Sequence, residues 1–408
     1  MKNTKGAAIG FIFLTLTIDI IGLGLIIPVM PPLLAELKHV EINETSKWGS
    51  YLIVAFSALQ FLCAPLMGNL SDRYGRRPDL LLSLLGFCID YVILALAPNY
   101  WILFIGRVLA GITGASFTAA SAYIADISTD ETRAKNFGLI GAAFGLGFVL
   151  GPALGGLLAS WGLRAPFWAA AILCFLNFLY GYFVLPESLK PENRRPFEWK
   201  KANPFTTLYN LRKQPAIGGL IVSFIFIYLA NHAVQSNWGY FTMYVFDWTE
   251  KQVGISLAVV GVLVGVVQGG LIRFVNPRLG EENSAYVGLL LYTLGLALFA
   301  FASQSWMMYV FLIPYCLGGI AGPALQSLIT KHVPANEQGQ LQGGLTSLMS
   351  LSSVFGPLIM NNLFYYATLE DAKIHFPGAP FLLGAILMLV SVWIAYRFLQ
   401  SEKKNLIP

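Results

Sequence analysis

Charge is what this sequence has least of. Asp, Glu, Lys and Arg make up 12% of its 408 residues, against about 25% in an average soluble domain. That shortage excludes a single water-soluble globule and a disordered chain. Histidine and cysteine are as sparse, with four of each. His39, His232, His332 and His375 are too scattered to build a metal centre or a paired acid–base constellation. Cys63, Cys88, Cys174 and Cys316 show no ligand spacing. No metal, no cofactor and no enzymatic chemistry is therefore expected. The formal net charge of +5 would suit a polyanionic partner, but the basic residues sit in short segments between long apolar runs. That placement argues against nucleic acid.

What is plentiful is apolar sequence, 56% of the residues. A bilayer core about 30 Å thick takes about 20 apolar residues per helical span, and backbone groups in lipid must be satisfied within the segment. Twelve runs qualify: 8–34, 48–68, 79–97, 100–122, 136–160, 165–185, 215–237, 251–272, 284–302, 306–330, 338–361 and 378–399. The expected fold is an all-α membrane protein of twelve transmembrane helices in two six-helix bundles, residues 1–186 and 215–408. A polar, proline-rich linker, 187–214, joins them. The cysteines fall within spans and read as small packing residues.

Lysine and arginine bias sets orientation. Most of the 26 basic residues fall on the side that carries both termini; Lys38, Lys47, Arg164, Lys251 and Lys373 fall on the other. Both termini are therefore expected in the cytoplasm. The halves also look duplicated. Gly138, Gly151 and Pro152 recur 205 residues later as Gly343, Gly356 and Pro357. Parallel six-span halves are a recurrent transporter design, with substrate near the midplane between them.

Three charges lie clearly inside spans: Asp19, Asp90 and Arg107, all in the first half. Each costs about 2.5–3.5 kcal/mol at a helix centre, so each is expected to face a cavity or a partner and to serve function. A buried carboxylate beside an arginine balances ionised and neutral forms, which is what proton coupling requires. Asp19 is the leading proton carrier, Asp90 the second, and Arg107 is a clamp or a partner of Asp19. The second half offers neutral polar groups instead. Asn231, His232, Gln235 and Trp238 cluster at the end of the seventh span, with Gln268 and Gln326 in the eighth and tenth; these are the substrate-binding candidates. The loop GNLSDRYGRRPDLL, residues 68–81, supplies Gly68 and Gly75 for tight turns and Asp72, Arg73 and Arg76 as latch groups. Asp126 and Arg133 after the fourth span are partners of opposite or matching sign. Such bonds hold one conformation and break in another.

These motifs resemble those of the major facilitator superfamily. GNLSDRYGRRP is similar to its signature loop, GRVLAGITGA around Arg107 to its fourth-helix motif, and Gly138, Gly147, Gly151, Pro152, Gly155 and Gly156 to its fifth-helix antiporter motif, expected to pack closely. Within the superfamily the chain resembles TetA-type tetracycline/proton antiporters, through IDIIGLG at 18–24, IDYVILA at 89–95, GPALQ at 322–326 and QGQLQG at 338–343. The resemblance implies that Asp19 and Asp90 match acids needed for transport, Gln60 a pore-lining position, and Asp72, Arg76, Asp126 and Arg133 a cytoplasmic gating network. There are departures. Val264 stands where that group has a histidine in the eighth span, and Pro277 where a second signature loop would have aspartate, which implies an asymmetric latch.

The expected function is export of a small amphipathic compound in exchange for protons by alternating access. The partners are the lipid bilayer, a small molecule and protons. The expected setting is a bacterial inner membrane, as a monomer. Rival readings are a uniporter or symporter for a metabolite, and a non-transporting receptor or membrane enzyme.

Overall fold

The computed structural model of the chain describes residues 2–405 apart from 115, 200–202, 204, 206–216, 332 and 334–337. The side chains of 2–8, 130, 131, 133–135, 338–340 and 401–405 also lie outside the described set. No strand occurs among the described residues. Among the described residues, twelve helices are long and apolar enough to cross a membrane. They are α1 (Ile9–Ile26), α2 (Ile42–Tyr74), α3 (Arg76–Leu96), α4 (Tyr100–Ile127), α5 (Asn136–Trp161), α6 (Ala165–Val184), α7 (Gly218–Gln235), α8 (Glu250–Leu279), α9 (Glu281–Ala300), α10 (Ser305–Lys331), α11 (Leu341–Ala367) and α12 (Ala379–Gln400).

Local chemistry sets the boundaries. The first run, expected to continue to residue 34, stops at Ile26. Pro28 lacks an amide donor, and Pro31 then opens a separate short helix, Met30–Lys38. The stretch 68–81, expected as a loop, is helical on both sides of one residue. Gly75, at φ +114°, makes the whole corner between α2 and α3. The side chain of Asn99 accepts from the Ile102 amide at 3.2 Å to cap α4. Thr129 and Thr132 form a capping box at the start of the helix that carries α5. Beyond α7 a second short helix, Trp238–Phe246, begins, and Trp238 is its first residue.

The repeat is visible in the helix starts. Arg76 and Tyr100 open α3 and α4; Glu281 and Ser305, each 205 residues on, open α9 and α10. The corner repeats as well, because Gly280 at φ +77° does for α8 and α9 what Gly75 does for α2 and α3.

Two compact units form. The first holds Met1–Glu41, Ala55–Pro204 and Thr249–Gly261; the second holds Ile42–Val54, Phe205–Trp248 and Val262–Pro408. The main division falls inside the polar stretch read as a linker, and the beginnings of α2 and α8 are exchanged.

In the first unit α1 lies against α5 through small residues. A Cβ at Gly147 would come within 2.7 Å of Ile20, one at Gly151 within 2.8 Å of the Gly24 backbone, and one at Gly155 within 2.5 Å of the Leu25 carbonyl. A Cβ at Gly156 would come within 2.5 Å of the Glu250 carbonyl, so the start of α8 joins the same stack. Gly138 is a correction to the expected packing set: it is exposed, and a Cβ there would meet nothing within 4 Å. Nine residues at 100° each turn it half a revolution from Gly147, onto the opposite face.

Candidate functional site

Asp19 sits on α1 beside that glycine crossing. It is 7% exposed and forms no ion pair among the described residues. Ser116 of α4 is the polar side chain facing it. Tyr91 of α3 closes the next turn, with its hydroxyl against Gly22. The backbone is close-packed around Asp19, so a carboxylate here with one hydroxyl and no cation beside it is unusual.

Asp90 of α3 is fully buried and forms an ion pair with Arg107 of α4. Gly106 lets the carboxylate lie flat on α4, since a Cβ there would come within 2.8 Å of Asp90 Oδ1. The Arg107 guanidinium also stands 5.5 Å from the Phe56 ring centre on α2. This corrects the expected Asp19–Arg107 pairing: Arg107 is held by Asp90. Gln60 of α2 donates from Nε2 to the Gly114 carbonyl at 2.8 Å and is half-buried.

At the Gly75 corner the latch groups meet. Arg76 contacts Asp72 at 2.6 Å and Asp126 at 3.2 Å, and donates to Ser71 Oγ at 3.2 Å. Arg73 instead lies 5.1 Å from the Tyr74 ring centre. Gly68 sits at ordinary contact distance from Thr118, 3.8 Å for an added Cβ. Arg133 falls within a helix, and its side chain lies outside the described residues.

The sequence reading missed two residues here. Glu187 accepts from the Arg76, Arg77 and Leu189 amides at 2.8, 3.2 and 3.0 Å, capping α3 with a carboxylate. Its neighbour Ser188 donates to Asp126 at 3.0 Å. The signal was the LPES ending, which carries an acid one turn past α6. Asp79 is the other. It is 6% exposed with both oxygens unpartnered, close to Ser71 and Arg76. The expected third span opens on Asp79; the helix begins three residues earlier and buries it.

In the second unit His232 of α7 is 6% exposed, and its ring lies flush on Gly356 of α11, where a Cβ would overlap it. Ser236 donates to Asn361 Oδ1 at 2.9 Å, and Ser46 to the Asn361 carbonyl at 3.1 Å. Asn231 Oδ1 is buried with no partner. Gln235 and Gln268 are exposed, the latter on a wide π-type turn, Val267–Leu271; such turns often mark functional positions. Gln326 is exposed and donates to Gln342 at 3.2 Å. Trp238 is 1% exposed, with ring centres of Phe299, Phe381 and Trp248 at 5.1, 6.4 and 6.4 Å. That enclosure gives Trp238 an aromatic packing role. No cluster of three metal-ligating side chains forms among the described residues.

Twelve membrane-crossing helices with charges buried in their interior define a multi-pass membrane transporter. The model of the Major Facilitator Superfamily matches residues 12–357 and 274–407, and the chain belongs to that family. It is 42% identical over 376 residues to a tetracycline resistance protein, class C, of Escherichia coli, covering 92% of this chain and 93% of the relative. It is 39% identical over 404 residues to the class E protein of Escherichia coli, covering 99% and 96%. The human organic anion transporter MFSD10 is similar in structure, with a TM-score of 0.72 at 25% identity, covering 96% of this chain and 99% of that one. The nucleoside transporter NupG shares the fold, with a TM-score of 0.77 at 12% identity over 96% and 99% of the two chains. The protein is an integral membrane transporter, not an enzyme.

Proposed function

We propose that this chain exports a small amphipathic compound of the tetracycline kind in exchange for protons, by alternating access. The observation that carries the reading is Asp19: a carboxylate buried with no cation paired to it among the described residues, on a helix clamped by the glycine crossing with α5. An unpaired buried charge is costly. Binding a proton relieves that cost, and a site of this kind exchanges protons with whichever side has access. Asp90 is the weaker proton carrier, because Arg107 already compensates its charge. The tetracycline resistance relatives supply the substrate class.

Gln60, Asn231, His232, Gln235, Gln268 and Gln326 are the substrate contacts in this reading, and Trp238 supports them from the packed aromatic cluster. Asp72, Arg76 and Asp126 form the gating network, joined by Arg133. In this reading that corner and both termini face the cytoplasm, as the basic-residue bias favours, and the protein is a monomer in a bacterial inner membrane.

Everted inner-membrane vesicles test the proposal. An acidic lumen should drive tetracycline into the vesicles, and collapsing the gradient should stop it. Uptake that ignores an imposed gradient overturns proton coupling and favours a uniporter. Uptake of no tetracycline by active, well-folded protein overturns the substrate class.

A further inference from the structure

The second unit holds an ion pair at the position that repeats the gating contact, and its charges are reversed. In the first unit Arg76, the first residue of α3, meets Asp126 near the end of α4 at 3.2 Å. Adding 205, the offset at which the helix starts repeat, gives Glu281 and Lys331. Glu281 is the first residue of α9 and Lys331 the last of α10, and they meet at 2.6 Å. The corner glycine before each pair has positive φ, at Gly75 and Gly280. The loss of an aspartate at Pro277 made the second corner look degraded, yet its backbone turn is intact and its ion pair has been rebuilt with opposite polarity.

The reversal makes physical sense. A carboxylate on the first residue of a helix is favoured by the exposed amides and the helix dipole. In the first unit that place belongs to Arg76, and Glu187 brings the carboxylate from outside the helix. In the second, Glu281 sits on the first turn itself, and Lys331 lies in the last turn of its helix, where a cation is favoured. Ser327 also donates to Glu281 at 2.8 Å, as Ser188 does to Asp126. A surface ion pair of this kind contributes little to folding. That is small for a structural brace and suited to a contact that must break in every cycle.

We propose that Glu281 and Lys331 form a second gating pair, the charge-reversed counterpart of Arg76 and Asp126. The inference rests on the transport cycle proposed above. Glu281 and Lys331 are positioning residues, since they act on helix ends and not on substrate.

Hydrogen exchange on the full chain in lipid nanodiscs tests it without a substrate. Glu281→Gln should speed amide exchange several-fold at 279–285 and 325–331. It should also shift exchange at 70–77 and 121–128, in the other unit, because a gate biases the conformation of the whole transporter. The double variant Glu281→Lys with Lys331→Glu should restore both regions. A merely structural pair would change its own corner alone. Effects confined to 279–285 and 325–331, or no rescue by the charge swap, overturn the proposal. Arg76→Ala in the vesicle assay tests the gating reading separately. Full export by that variant removes the parent reading, while the exchange experiment still decides whether Glu281 communicates across the molecule.

Discussion

The two units share a repeat and divide the electrostatics between them. Asp19, Asp79, Asp90 and Arg107 are the buried Asp, Glu, Lys and Arg side chains among the described residues, and all belong to the first unit. At the repeat positions of Asp90 and Arg107 the second unit has Gly295 and Leu312. There α9 and α10 are joined by close approach, with a Cβ at Gly295 coming within 2.7 Å of Tyr315. Its other buried polar groups are neutral: Ser223 with Ser391 at 2.6 Å, Ser236 with Asn361 at 2.9 Å, and His232 on Gly356. Among the described residues, the second copy of the fold does without buried charge. The charges of the other copy are therefore not needed to build the fold, and function is the remaining reason to keep them.

The sharpest way to break this contrast is at Asp19 and His232. Asp19→Asn should lower gradient-driven export about a hundredfold or more, the scale of losing a proton-transfer group. Its expression and thermal unfolding should stay near those of the parent. His232→Gln should cost less than tenfold, because it keeps a polar side chain in a neutral site. Equal losses in the vesicle assay would place proton work in both units.

Next in size is the buried pair. Arg107→Leu leaves Asp90 charged and alone, and should destabilise by about 3–5 kcal/mol. Adding Asp90→Gly, which copies the second unit into the first, should recover most of that stability while transport stays lost. Buried ion pairs are replaceable by apolar packing without a stability penalty. Thermal unfolding in detergent measures both variants. A single variant as stable as the parent would show that Asp90 is not held by Arg107.

The glycine crossings come third. Gly151→Ala pushes against the Gly24 and Ile21 backbone, whereas Gly356→Ala pushes against the His232 side chain. Backbone yields less than a side chain, so Gly151→Ala should cost about 1–3 kcal/mol and Gly356→Ala less. The reverse order in thermal unfolding would mean that His232 is the more rigidly held group.

Much of this was legible in the sequence, for reasons that differ by residue. Spans, family and the intramembrane acids follow from hydropathy and motif, because lipid leaves the backbone few options. Gly147, Gly151 and Gly155 were legible too, spaced by four on one helix face. What escaped was anything decided by one backbone angle or by contacts distant in sequence. Gly75 turns the chain alone, so α3 begins early and takes Asp79 inside. Glu187 reaches Arg76 over 111 residues, and no local spacing encodes that. Gly138 failed for the opposite reason: the motif spacing included it, but helical phase puts it on the wrong face. The second corner was judged by its missing aspartate, while the pair that matters had changed sign.

The smallest expected effect lies at Asp79, which isolates burial from function. Its repeat position is Ser284, fully buried with an unpartnered hydroxyl, so both units place an unsatisfied polar group one turn inside the corner. The cost differs, because an ionised carboxylate loses far more hydration on burial than a hydroxyl does. Asp79→Ser makes the first corner like the second and removes the larger penalty. It should raise stability by about 1 kcal/mol, in the range of a relieved unsatisfied group, with export unchanged. If export falls while stability rises, Asp79 belongs with Asp19 among the proton-handling acids, and the electrostatic specialisation of the first unit extends to its gating corner.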